Sequence, residues 1–159
     1  MSHMASTHFK DGHPVMVDVG EKPPTVRRAV AEAVVVLPEA AVSRLLEGGP
    51  KGDAIQVAEL AGIMGAKRTP DLIPLAHPLP LSSVAVRGAV DGNRVRFEAS
   101  CGTNAATGVE MEALTAAAVA ALTLYDMLKG ATKGIVIEGV RLLHKEGGRS
   151  GTWTRAQDG

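Results

Sequence analysis

Three features of this 159-residue chain predict an α+β fold, in which helices cover one face of a four-stranded antiparallel sheet in a ferredoxin-like split β-α-β arrangement. The segments fall in the order β-α-α-β-β-α-β. The dipeptide Asp91-Gly92 lies between two strand-like runs, a strong short hairpin signal. The stretch from Thr107 to Gly130, TGVEMEALTAAAVAALTLYDMLKG, reads as one long helix. Its body is apolar nearly all the way round, so it needs burial against a sheet.

In order, MSHMAS (1–6) reads as an expression-tag remnant, and His3 is set aside with it. Residues 7–24 carry Gly and Pro at both ends and are expected to wander as a surface arm; His8 and His13 lie there without an evident role. The run 25–37, TVRRAVAEAVVVL, is β-branched enough for a strand. Pro38 starts a short helix that ends at a Gly pair, and Asp53 is positioned to cap a second helix, AIQVAELAGIMGAKR. Four prolines in TPDLIPLAHPLPL (69–81) enforce extended chain. Strands are expected at 82–90, 93–101 and 134–145. A single domain spans 25–150, and 151–159 has the composition of a flexible tail. No internal repeat is visible.

The charges of the long helix sit only at its ends. Thr107 to Glu110 fits a T-x-x-E capping box, and Lys129 and Gly130 suit a helix C-terminus. Asp126 is at the wrong end of the dipole, where it costs a few tenths to about 1 kcal/mol. Glu112 is equally unexplained by capping. At roughly 100° per residue, Glu112 and Asp126 fall within about 40° of each other, with Lys129 about 60° further on. Asp126 and Lys129, at i,i+3, can couple as acid and base. Glu110 and Asp126 are about 24 Å apart along the axis, so one helix cannot put both ends into one small pocket. Two antiparallel copies across a two-fold can, with the site between subunits.

Composition narrows the function. Seventeen basic residues balance seventeen acidic ones, so nothing global points to nucleic acid or membrane. From Lys129 onward, however, six Lys or Arg face three acids, which allows a local anion site. The single cysteine, Cys101, suits a reducing cytoplasm, no secretory signal is visible, and the Ala-rich run is expected to be too short to span a bilayer. No metal-ligand spacing or Walker motif occurs, and the aromatics are too few for an RNA-stacking sheet. Lys51 precedes a helix N-terminus, a place that attracts phosphate; a solvated loop lysine is the plain alternative. His77, held between Pro74 and Pro78, has a stiff backbone and a directed ring. Lys67 and Arg68 suit the C-terminal end of their helix. His144 and Lys145 alternate across the last strand, and Lys145 is expected to share its face with Arg141. The residues alone leave an enzyme, a small-molecule sensor and a purely structural oligomer open.

The segments MVDV (16–19), KGD (51–53), AKRTPDLIPLAHPLPL (66–81), 107–129 and VRLLHKEGGRSG (140–151) resemble, in order and over most of the chain, the cyclic pyranopterin monophosphate synthases, the MoaC family of molybdenum cofactor biosynthesis. The resemblance implies a phosphorus–oxygen lyase that converts 3′,8-cyclo-7,8-dihydro-GTP to cyclic pyranopterin monophosphate and releases pyrophosphate. It implies a cytoplasmic homohexamer, a trimer of dimers, with sites at dimer interfaces. By that likeness the acid/base pair is Asp126 and Lys129. Substrate contacts fall on Leu75, Ala76, His77, Met111 and Glu112. Lys51, Lys145, Glu110, Arg27, Asp18 and Lys22 match other polar positions of the family's pocket and arm. No resident cofactor or metal is implied, and Mg²⁺ accompanying the triphosphate is left open. The family commonly has Cys where this chain has Ala76, and SCGTNAA (100–106) departs from its charged counterpart.

Overall fold

A computed structural model describes residues 8–49 and 53–156. The arm is partly ordered by a hairpin, β1 (Phe9–Lys10) and β2 (His13–Pro14). Its two-residue turn puts Asp11 at φ 53° and Gly12 at φ 80°, the backbone that Asp-Gly favours. That signal stands in the sequence beside the one at Asp91-Gly92. Residues 1–7, which include the tag remnant, lie outside the described residues.

The main sheet is built from β3 (Thr25–Val36), β4 (Leu81–Asp91), β5 (Arg94–Ala105), β6 (Val136–Glu146) and β7 (Trp153–Thr154), in the spatial order β4-β5-β3-β6-β7 with every pairing antiparallel. The fold is therefore α+β, but the sheet has five strands rather than the four expected. The fifth is two residues long and lies in the segment whose composition suggested a flexible tail. Trp153 pairs with Lys145, and Arg155 donates to the Leu142 carbonyl at 2.7 Å, which fixes this edge.

Among the described residues four helices accompany the sheet: α1 (Glu39–Glu47), α2 (Ala54–Lys67), α3 (Thr69–Leu72) and α4 (Glu110–Leu128). The Asp53 carboxylate caps α2 as expected, accepting from the amides of Ile55 and Gln56 at 2.9 and 3.2 Å. Extended chain was expected from residue 69, yet α3 forms one turn there. Pro70 lies in its first turn, where a missing amide hydrogen costs nothing, and the Thr69 hydroxyl donates back to the Ala66 carbonyl.

Alternation along β3 and β5 turns Ala29, Ala31, Ala33, Val35, Val95, Phe97, Ala99 and Cys101 toward the helices, all fully buried. The small residues of β3 face Ala113, Ala116, Ala117, Ala120 and Ala121 of α4, which brings this helix close to the sheet. α2 crosses α4 just as tightly: a β-carbon on Gly62 would sit 2.8 Å from the Ala116 carbonyl oxygen. By length and composition alone α4 could cross a bilayer, contrary to the expectation above. Its buried residues, from Glu112 to Leu128, pack against the core, the setting of a core helix.

The opposite face of the sheet is charged. There Glu32 is only 2% exposed, held by Arg141 at 2.7 Å and Arg96 at 3.4 Å.

Candidate active site

The two ends of α4 present different chemistry. At its start, β5 runs on to Ala105 and the helix begins at Glu110, with Val109 in the capping position and no side-chain cap. The expected Thr107–Glu110 capping box is thus absent, because Thr107 lies three residues before the first helical residue. Glu110 instead folds its carboxylate back over Gly108, leaving no room there for a β-carbon. Met111 is exposed. Glu112 is 3% exposed and faces inward; burial pushes its pKa upward, a backbone hydrogen bond opposes this in part, and the charge of Glu110 adds a smaller upward push. Burial and then Glu112 drive the neighbouring Cys101 thiol up to about 12.

Arg27 and Lys145 gather at this same end. Arg27 reaches past β5 and donates to the carbonyls of Ala105 and Ala106 at 3.1 and 3.3 Å, so it fixes the turn that leads into α4. Lys145 pairs with Ala29 on the helix-facing side of the sheet. It was expected to share a face with Arg141 and does not. The register with β3 shifts between Val30 and Ala31, and this bulge inverts the alternation, leaving Arg141 on the charged face with Glu32.

The proline-rich segment joins the group through Thr103, which pairs with Arg27 in the sheet and donates to the Pro80 carbonyl at 2.6 Å. Leu75, Ala76 and His77 are half-buried nearby in sequence. The His77 imidazole hydrogen-bonds the Val17 carbonyl, which ties the N-terminal arm to this segment. Asp18 is exposed and accepts from the Gly20 amide at 2.9 Å; Lys22 is also exposed.

Asp126 and Lys129 stand at the far end of α4. Their side chains meet at 2.8 Å and are both more than half exposed. The hydrogen bond to Asp126, then its charge, holds the Lys129 ammonium above its usual range. Between the two ends runs a stripe of Met111, Leu114, Ala118, Leu122 and Tyr125, spaced so that at roughly 100° per residue it continues onto Asp126 and Lys129. Leu122 is 58% exposed. Within one protomer, therefore, Asp126 and Lys129 are grouped with each other but not with Glu112, Lys145, Arg27 or His77. A cleft of about 590 Å³ opens beside this C-terminal end, between Arg44, Leu45, Ile55, Val90, Met127 and Leu128. Lys51 lies outside the described residues.

Two features were missed in the sequence. Ser150 accepts a hydrogen bond from Lys145; the GGRSG run directly after that lysine was the available signal. Cys101 on β5 feels the charge of Glu112 on α4, an influence across the core that no local pattern encodes.

Comparison with known proteins decides the family. Residues 16–148 match the MoaC family. The chain belongs to the MoaC family. It is 54% identical to the cyclic pyranopterin monophosphate synthase of Corynebacterium glutamicum (strain R) over 150 residues, 93% of this chain and 96% of that protein. The synthase of Rhodospirillum rubrum is 55% identical over 152 residues, covering 93% of this chain and 92% of its own length. That of Deinococcus radiodurans is 53% identical over 152 residues, covering 95% and 90%. Met16, which opens the MVDV segment, begins the MoaC match, and Gly148 ends it.

Proposed function

We propose that this protein is a cyclic pyranopterin monophosphate synthase, a phosphorus–oxygen lyase of molybdenum cofactor biosynthesis acting in the cytoplasm. It takes 3′,8-cyclo-7,8-dihydro-GTP to cyclic pyranopterin monophosphate and releases pyrophosphate. The observation that carries the reading beyond family membership is the exposed Asp126–Lys129 pair at 2.8 Å, joined by an apolar stripe to a cation- and glutamate-bearing end. An acid and a base in direct contact suit the proton transfers that opening the purine five-membered ring and rebuilding a pyranopterin require. The remaining chemistry is attack of a substrate hydroxyl on the α-phosphorus, which expels pyrophosphate.

The active unit is a dimer, assembled further into a hexamer. Two α4 helices, antiparallel across a two-fold, cover each other's exposed stripe and set Asp126 and Lys129 of one protomer beside Met111 and Glu112 of the other. In this arrangement Leu75, Ala76 and His77, with Glu110 and Glu112, orient the guanine-derived part. Arg27, Lys51 and Lys145 face the phosphates. No resident cofactor is needed; Mg²⁺, where it takes part, arrives with the triphosphate. Residues 25–150 form the catalytic domain, with 7–24 as an arm against it. The order β4-β5-β3-β6 of the long strands supports a ferredoxin-like scaffold.

Supplying the cyclic GTP derivative and following pyrophosphate release tests the reading. Asp126→Asn lowers turnover by more than about tenfold, and because Asp126 holds the Lys129 pKa up, it also moves the alkaline limb of the pH profile to lower pH. Leu122→Glu yields a folded monomer without activity. Turnover within tenfold of wild type in Asp126→Asn, or a fully active monomer, overturns the assignment of these residues.

A further inference from the structure

Lys145 stands one residue from the end of β6, a poor place to hold a long side chain still. Its ammonium rides on a flexible four-carbon stem, and the last residues of an outer strand fray. β3 covers only one side of β6, so without β7 this strand would be the outer one of the sheet. β7 supplies the other side at just this point: Thr154 pairs with His144 and Trp153 with Lys145. The family match ends at Gly148, so β7 lies beyond the part of the chain that family membership describes.

Two residues hold a strand weakly by pairing alone, and side chains reinforce this one. Trp153 is directly opposite Lys145 on the same face, where the β-carbons of such a pair lie about 4.5–5.5 Å apart. The Arg155 guanidinium lies 5.4 Å from the centre of the Trp153 ring. Its Nε donates to the Leu142 carbonyl at 2.7 Å and its amide donates to the Leu143 carbonyl at 2.8 Å, so the group against the ring is itself anchored to β6. On the other face, the His144 Nδ1 and the Thr154 Oγ1 are hydrogen-bonded at 2.8 Å. Ser150, which accepts from the Lys145 ammonium, belongs to the segment that leads back into β7. The stem of Lys145 therefore has an indole beside it and its tip a hydroxyl, both supplied by residues that follow β6. A lysine so confined loses its rotamer freedom on folding rather than on binding.

We propose that β7 is a clasp that positions Lys145 for the reaction, with Trp153 as the positioning residue and Arg155 as its anchor. The role of Lys145 toward substrate rests on the function proposed above; the order that the clasp imposes on the end of β6 does not. Trp153 and Arg155 act through Lys145 and need not touch the substrate.

Two measurements on the full-length protein test the clasp. In hydrogen exchange, Trp153→Ala and Arg155→Ala speed exchange across residues 142–146 by about tenfold and leave α4 unchanged. In turnover of the cyclic GTP derivative, Trp153→Ala raises KM about three- to tenfold, the effect of having to immobilise one long side chain on binding, and leaves kcat within about twofold. Trp153→Phe, which keeps a ring opposite Lys145, restores both readouts. Lys145→Ala raises KM as well, and adding Trp153→Ala to it changes KM no further, because the side chain that Trp153 positions is gone. Additive effects in that double variant, a wild-type KM in Trp153→Ala, or wild-type exchange across 142–146 in Trp153→Ala each overturn the positioning role. Faster exchange there in Trp153→Ala, in a protein whose wild type does not turn over the cyclic GTP derivative, would instead overturn the proposed function and leave the clasp standing.

Discussion

Replacing Gly62 by alanine tests how tightly α2 must lie on α4. The new β-carbon would come within 2.8 Å of the Ala116 carbonyl oxygen and 3.0 Å of the Val86 Cγ2. The first of these is backbone in the middle of a core helix, so it cannot rotate away as a side chain would. Forced overpacking of this kind costs about 1–3 kcal/mol. Alanine recovers up to about 1 kcal/mol through its better helix propensity. Because the clash is with backbone, the upper part of that range, about 2–3 kcal/mol, applies, so the net loss is about 1–2 kcal/mol, a fall in Tm of roughly 2–8 °C for a chain of this size. The measurement is thermal unfolding at fixed protein concentration, because any oligomer makes Tm concentration-dependent. Gly130→Ala is the control: no atom of the described residues would lie within 4 Å of its β-carbon, and its φ is not in the left-handed region. That variant gains a few tenths to about 1 kcal/mol by restricting the unfolded chain. A Gly62→Ala protein as stable as wild type would refute the close-approach argument, since propensity alone would then decide the outcome.

Cys101, with its pKa pushed up to about 12, stays unreactive toward a thiol reagent at pH 8 in the native protein and reacts fully in denaturant. Because the unfolded thiol loses its proton near 9.0 and the folded one only near 12, stability falls as pH rises between those values, by up to about 1.4 kcal/mol per pH unit. Cys101→Ala flattens that part of the stability profile, and an unchanged slope would refute the assignment. For Glu112 the folded carboxyl titrates above its ordinary 4.5, so the charged form is the destabilised one. Its penalty is present above the raised pKa and disappears as pH falls through it toward 4.5. Glu112→Gln is accordingly more stable than wild type in denaturation at pH 8, with the gap closing on acidification, while turnover drops; a gap independent of pH would contradict it.

How much of this was legible in the sequence depended on range. Elements set by neighbours in the chain were readable: Asp53 as the α2 cap, Asp91-Gly92 as a hairpin, α4 as a long apolar helix. Features that depend on distant strands were not. The bulge between Val30 and Ala31 sends Lys145 and Arg141 to opposite faces, and simple alternation along β6 has no means of registering an extra residue introduced by pairing. The capping box failed for a related reason. Pairing of β5 with β3 extends to Thr25 opposite Ala105, and this longer strand uses residues that local pattern had left to the helix approach. β7 escaped notice because two residues carry no periodicity, and its place is fixed by hydrogen bonds to β6.

The candidate site follows the same division. That Asp126 and Lys129 couple is a property of i,i+3 spacing, and their contact at 2.8 Å needed only the helix. That Arg27 spends two of its donors on Ala105 and Ala106 could not be read locally, since the partners lie 78 and 79 residues away. This bond changes what Arg27 can do. A guanidinium anchored to the turn before α4 has its Nη1 left over, against Gly148, so on the proposed function it would meet an anion from a fixed position. The same bonds tie β3 to the turn that starts α4, the helix that carries the exposed stripe. On the proposed dimer, an anion held at Arg27 and the acid/base pair of the neighbouring chain would be set apart by one rigid helix, so the length of α4, rather than any loop, would fix the span between them.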